Sequence, residues 1–247
     1  MEDLRGGEIE KFLSENESKF SKAYYEVINK KDISKLSERS FYHFFLFIAS
    51  QFVRTPALRL EFENVLSKAY DKMYSKLAND FMKKKGSKLA GHVRLSPDPE
   101  AVKLMHAQMI LKGVPRFAQI LANRKWSIVE NHHDIPLWTS DNPLVLHNQL
   151  DLGPYMGNLG LLSPGIEIHF PLTKNLRLFS FDSRTHVLRT STMGMFERLH
   201  VIHENMLQLR YSSRFIYASS NNDFDRARIF LSDYPQFRSE RQHMNVC

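Results

Sequence analysis

Apolar residues return every three or four positions through the first half of the chain and switch to alternation near Lys125. The first pattern predicts helices and the second strands. Ile9, Phe12, Leu13, Phe20, Ala23, Val27 and Ile28 mark a helix over Glu8 to Asn29. A polar connector, Lys30-Lys31-Asp32, leads to SERSFYHFFLFIASQFVRTP, a second helix closed by Pro56. Its phenylalanines (Phe41, Phe44, Phe45, Phe47 and Phe52) lie on nearly every side, so this helix is expected at the centre of the core. Ala57 to Lys85 continues as a longer amphipathic helix with the stripe Leu60, Phe62, Leu66, Tyr70, Met73, Leu77 and Phe81. It ends on Lys83-Lys84-Lys85-Gly86, where cations complement the helix dipole and glycine stops the helix. After a loop over Ser87 to Pro99, Asp98 with Pro99 opens a helix to about Asn123, with a kink expected near Gly113 and Pro115.

Trp126 to Glu130 alternates as a strand. Pro136 to Leu146, PLWTSDNPLVL, reads as a strand, a tight polar turn at Thr139-Ser140-Asp141-Asn142-Pro143, and a second strand. Asp151 to Gly165 holds four of the ten glycines and two prolines, which predicts a mobile loop and a candidate lid. It is not a phosphate loop, because GxxxxGK[ST] is absent and its filler residues are apolar. Ile166 to Phe170 and Asn175 to Phe181 form a predicted strand pair joined by Pro171 to Lys174. Met195 to Tyr211 returns to helix, with Phe196, Leu199, Ile202, Met206 and Leu209 as its buried stripe. Arg214 to Ala218 is a further strand and Asp223 to Leu231 a short closing helix. The sum is an α+β chain in one domain over residues 1–247. A helical half, 1–124, packs on a small mixed or antiparallel sheet in 125–247, with one or two C-terminal helices.

Composition changes this picture little: 43% hydrophobic and 25% charged residues are globular values. The net charge of +7 favours acidic partners such as nucleic acid or nucleotides. From Pro171 onward there are ten Arg and the single Lys174, a bias toward the side chain that grips phosphate or carboxylate with two donors. The one cysteine, Cys247, excludes a disulfide framework and a cysteine zinc site within one chain. The most apolar run, Phe41 to Val53, is too short to cross a bilayer, and no secretory signal precedes the first helix. A cytoplasmic protein without a membrane partner is therefore expected.

Candidate chemistry concentrates in four places. Glu10 and Glu17, seven apart on the first helix, flank its apolar stripe and suit metal ligation, a buried arginine, or plain solvation at the stripe edge. Gln51 and Arg54 project from one face of the second helix near its end. An arginine there calls for an acidic or phosphate partner, or reaches out to water. The turn supplies Ser140, Asp141 and Asn142, and the late helix and strand supply Asn205 and Arg214. The histidines contribute less. His132 and His133 are adjacent on a strand and point apart. His200 and His203 could chelate at i and i+3, but HExxH is absent and no metal ligand set is assigned.

The order of these pieces resembles a microbial family of unknown function, DUF4238. The resemblance rests on QFVRTP (Gln51 to Pro56) and TSDNP (Thr139 to Pro143), followed by FPLT (Phe170 to Thr173) and ENMLQLRYSSRFIYAS (Glu204 to Ser219). It implies that the positions above matter and assigns no activity. Members of the family begin with an extra N-terminal segment resembling a strand and hairpin. Here the chain starts almost at the first helix, so that sheet edge is expected to be missing or supplied by a partner chain.

Two functions follow. In the first, a toxin- or defence-like effector or enzyme acts on nucleic acid or nucleotide phosphates. Glu10, Glu17 and Asp141 would supply catalytic carboxylates, with a divalent cation such as magnesium as the candidate cofactor. Arg54 and Arg214 would hold phosphate, and Gln51, Ser140, Asn142 and Asn205 would orient the substrate. In the second, a non-catalytic binding or interaction module uses the same residues as a buried network joining the two halves.

Overall fold

The computed structural model describes residues 2–89, 91–150, 159–185, 192–194 and 197–239. Helix α1 (Glu2–Lys30) and a single 3-10 turn (Ile33–Lys35) precede α2 (Glu38–Val53). Ser37 caps α2 by accepting the Ser40 N–H at 3.2 Å. The RTP sequence then works as a helix junction. Arg54 ends α2, Thr55 caps α3 (Pro56–Tyr70) by accepting from Leu58 N, and Pro56 sits in the first turn, where no N–H is needed. A π-helical turn (Asp71–Ser75) joins α3 to α4 (Lys76–Lys84), and α5 (Pro99–Ala122) is capped by Asp98. α5 continues past Gly113 and Pro115 to its end.

The main sheet has the order β3-β4-β5-β1-β6. Strands β3 (Val145–Asn148), β4 (Ile166–Thr173), β5 (Leu176–Phe181) and β1 (Trp126–Glu130) are antiparallel neighbours, and short β6 (Thr192–Gly194) joins β1 in parallel. A two-stranded ribbon pairs β2 (Thr139–Ser140) with β7 (Ile216–Tyr217). Helices α6 (Arg198–Tyr211), α7 (Asn221–Asp233) and one-turn α8 (Gln236–Ser239) complete an α+β fold whose helical N-terminal half lies on a small mixed sheet.

Strand alternation divides the sheet into two faces. Leu146, Ile128, Ile166, Ile168, Phe170 and Leu178 point to the large core, where α2 contributes Phe44, Phe45 and Ile48 and α5 contributes Ala118 and Leu121. Helix α1 closes that layer through Ala23 and Val27, and its Tyr24 hydroxyl donates to the Leu172 carbonyl at 2.7 Å. The opposite face packs Val129 and Phe179 against Ile135, Leu137 and α6 residues Val201 and Ile202. A third cluster seats Trp138 against Leu209, Ala227 and Phe230.

Several expectations are corrected. The helix expected over Ala57 to Lys85 is interrupted by the π turn, and Leu60, Met73, Leu77 and Phe81 of its stripe are exposed. The extra residue of a π turn rotates everything beyond it. The inward positions run Leu66, Tyr70 and then Ser75, Asn79, so polar residues take over the face that continues the α3 interior. Asn79 accepts the Gly91 and Val93 N–H groups and donates to the Val93 carbonyl, fastening the following loop to α4. On α6, Leu199 is exposed because the helix starts only at Arg198, so it lies in the first turn. Met195 and Phe196, assigned to that helix, lie outside the described residues. The strand expected over Arg214 to Ala218 shortens to two residues.

The candidate lid is described only from Leu159 to Gly165; residues 151–158 lie outside the described residues. The described part is anchored. Arg124 donates to the Leu161 and Ile166 carbonyls, and Arg184 donates to the Leu162 carbonyl. Gly165 has φ +75°, and a Cβ there would stand 2.4 Å from Leu150 Cδ1. Among the described residues no helix is long and apolar enough to cross a membrane.

Candidate functional site

The turn between β2 and β3 lies beside α6, and its polar side chains are spent on backbone groups and on the Gln208 amide. Trp138 and Pro136 have no ladder partner on the α6 side. Asn205 supplies one: Oδ1 accepts the Trp138 N–H at 2.8 Å and Nδ2 donates to the Pro136 carbonyl at 2.9 Å. One turn later Gln208 repeats the device. Its Oε1 accepts from the Ser140 hydroxyl and its Nε2 donates to the Pro143 carbonyl. Asn142 Nδ2 donates to the carbonyl of Tyr211, the last residue of α6. Asp141 receives the N–H of Ser213 on Oδ1 and that of Arg214 on Oδ2, both at 2.8 Å, while its own N–H donates to Phe215. A buried or half-buried backbone donor left alone is costly, so this chain of bonds fixes where α6 ends and β7 begins.

The other face of the turn is open. Gln51, Arg54 and Thr55 from the α2–α3 junction, Thr139, Asp141 and Pro143 from the turn, and Tyr217 from β7 line a cleft of about 550 Å³. Residues nearly ninety positions apart in sequence therefore face one another. Arg54 is held from two sides: Nη1 donates to Glu17 Oε1 at 2.8 Å and Nη2 to Gln51 Oε1 at 2.7 Å. Its side chain remains 38% exposed, so the arginine is both paired and in water.

The sequence-predicted residues thus separate. Gln51, Arg54, Ser140 and Asp141 come together around the cleft, with Glu17 behind Arg54. Asn142 turns toward α6, Asn205 on α6 is spent on the Trp138 and Pro136 backbone, and Arg214 contributes its backbone while its side chain is exposed. Glu10 is exposed on α1 and does not line the cleft. Among the described residues no group of three His, Cys, Asp or Glu side chains is disposed to hold a metal ion. His200 and His203 are both exposed on α6.

A second polar cluster, unrecognised in the sequence reading apart from His203, lies between the sheet and α6. His169 on β4 is 2% exposed. Its Nδ1 accepts from Arg177 Nη1 at 2.9 Å and stands 3.0 Å from Glu204 Oε1, and Arg177 itself contacts Glu204. The other ring nitrogen lies 3.4 Å from Glu167, which pairs across the strands with His147. The His147 ring lies 5.6 Å from that of His203. In the neutral Nε2–H tautomer, His169 turns that N–H toward Glu167 and accepts from Arg177 on Nδ1, and Arg177, not the ring, answers the Glu204 carboxylate. Burial pushes both His169 and His147 down to about 4, so they are neutral at physiological pH. The available signal was alternation on β4, where Glu167 and His169 fall on the face opposite Ile166, Ile168 and Phe170.

Two outcomes follow. Asp141→Ala removes both acceptors at the α6 exit and is expected to cost about 3 kcal/mol in denaturant unfolding. Asp141→Asn, which keeps one acceptor, is expected to cost less. The histidines set a pH dependence. Between the unfolded value of 6.5 and the folded value near 4, the unfolded chain holds more protons. Stability is therefore full above that window and falls as pH drops through it. His169→Gln should flatten the fall measured by urea titrations at stepped pH, and an unchanged profile would remove His169 from this role.

The comparisons add a family and no activity. No curated protein and no solved structure matches the chain. The family model described as a protein of unknown function, DUF4238, matches residues 2–222, and the chain belongs to that family.

Proposed function

We propose that the chain is a binding module for phosphate-bearing ligands of the nucleic-acid class, a nucleotide or a single strand, taken in the cleft between the end of α2 and the Thr139–Pro143 turn. The setting of Arg54 carries this reading. Two of its five donors are engaged by Glu17 and Gln51, which orient the guanidinium without burying it. A guanidinium held in this way offers its remaining donors to phosphate oxygens in a fixed geometry. Tyr217 lines the same cleft and is 53% exposed, an aromatic face on which a base can stack. The net charge of +7 assists the approach of a polyanion.

Binding without cleavage is favoured over an effector that cuts its ligand. A catalytic carboxylate needs a free oxygen near the reacting group. Both oxygens of Asp141 already accept backbone N–H groups, and Glu10 is outside the cleft. Glu17 does not line the cleft either and meets it only through Arg54, whose Nη1 donates to its Oε1.

The test is fluorescence anisotropy with labelled single-stranded RNA and DNA, alongside gels of the same mixtures with magnesium, manganese or a chelator. Arg54→Ala should weaken binding roughly tenfold or more, with a melting temperature close to wild type because an exposed ion pair contributes little stability. Intact ligand on the gels is expected in every condition. Absence of binding by the wild type, or equal binding by the variant, would overturn the reading, and metal-dependent cleavage lost in Glu17→Gln would restore the effector.

A further inference from the structure

The arm formed by the π turn and α4 is inside out. Met73, Leu77 and Phe81 follow one another at i, i+4 and i+8 and are 66%, 69% and 58% exposed. The face turned to the rest of the chain is polar instead. Ser75 Oγ accepts the Leu95 N–H and Asn79 binds the backbone of Gly91 and Val93. Leu89, in the loop past the helix, is also 61% exposed. A stripe of large apolar side chains in water marks a surface that something covers.

The charges around the stripe narrow the occupant. Between positions 68 and 88 there are seven lysines and two aspartates, and every one of these lysines is exposed. Lys72, Lys76 and Lys83 flank one edge of the stripe on the helical wheel and Lys85 the other, with Lys85 Nζ 5.7 Å from the Phe81 ring. A second copy of the chain would set its own lysines against these. A nucleic acid would take the lysines but leave Met73, Leu77 and Phe81 wet. A lipid surface with anionic headgroups takes both, the apolar stripe at the acyl boundary and the lysines among the headgroups.

We propose that the arm from Asp71 to Leu89 docks on an anionic membrane surface, lying in the interface and not crossing it. Electrostatic attraction brings the arm to the surface and the stripe inserts, so the two contributions add. The cleft of Arg54 takes no part, and the two readings stand or fall separately.

The experiment is sedimentation of the full chain with vesicles of phosphatidylcholine alone and of phosphatidylcholine mixed with phosphatidylserine. The wild type should pellet roughly tenfold or more better with the mixed vesicles, and salt should reduce the difference. The Leu77→Asp/Phe81→Asp variant and the Lys83→Glu/Lys84→Glu/Lys85→Glu variant should both lose binding. Their melting temperatures should match wild type, since all five side chains are exposed. Equal partition onto the two vesicle types, or none, would overturn the proposal. So would a dimer in light scattering that the Leu77→Asp/Phe81→Asp variant dissociates, which would make the stripe a self-interface. Retention of RNA binding by that variant and its loss in the lysine variant, without vesicle binding by the wild type, would assign the arm to nucleic acid.

Discussion

The fold depends on one constraint: on the side where a backbone segment faces a helix and not a strand, its N–H and C=O groups still need partners. From Pro136 to Pro143 the chain lies along α6, which has no backbone groups to spare. Asn205 and Gln208, three residues apart on one helix face, take the place of a neighbouring strand by offering a donor and an acceptor each. Asp141 then does for the residues after α6 what these amides do for the turn. The bonds to the Trp138 and Ser213 N–H groups are buried or half-buried, so removing either acceptor strands a backbone donor where water reaches poorly.

This network explains why the polar residues of the turn looked like a site. Ser, Asp and Asn beside apolar runs have the same appearance whether they bind a ligand or a backbone. What sequence could not supply was the direction of each side chain. Ser140 lines the cleft beside Thr139 and still bonds to Gln208 on α6. The α+β class, the buried phenylalanine helix and the pairing of β4 with β5 were legible because each rests on a long, regular pattern. Arg54 was legible as a cation needing a partner, and both readings of it hold together, since it pairs with Glu17 and still reaches water.

Two features were hidden for physical reasons. A single π turn leaves no mark in hydrophobic periodicity, yet its extra residue turns everything that follows by roughly 100° about the helix axis. Leu66, Tyr70, Met73, Leu77 and Phe81 form one stripe on a regular helix and two on this one. The cluster of His169, Arg177 and Glu204 was hidden because its members sit on β4, β5 and α6, and each alone is an ordinary polar residue. Only the register of the sheet and the docking of α6 bring them together.

The scaffold and the cleft are two sides of one construction. A binding site gains when its groups are fixed before the ligand arrives, because the ordering cost is then met during folding. The turn is fixed from behind by α6. Arg54 is fixed at the end of α2 by the Thr55 cap, the proline that starts α3, and the grips of Glu17 and Gln51. Neither half of the cleft relies on the other for its shape, since one belongs to the helical layer and one to the sheet layer. A ligand that bridges Arg54 and Tyr217 would therefore report on how those layers meet. Substitutions at Asn205, which touch no cleft residue directly, should alter binding only as far as they move the turn.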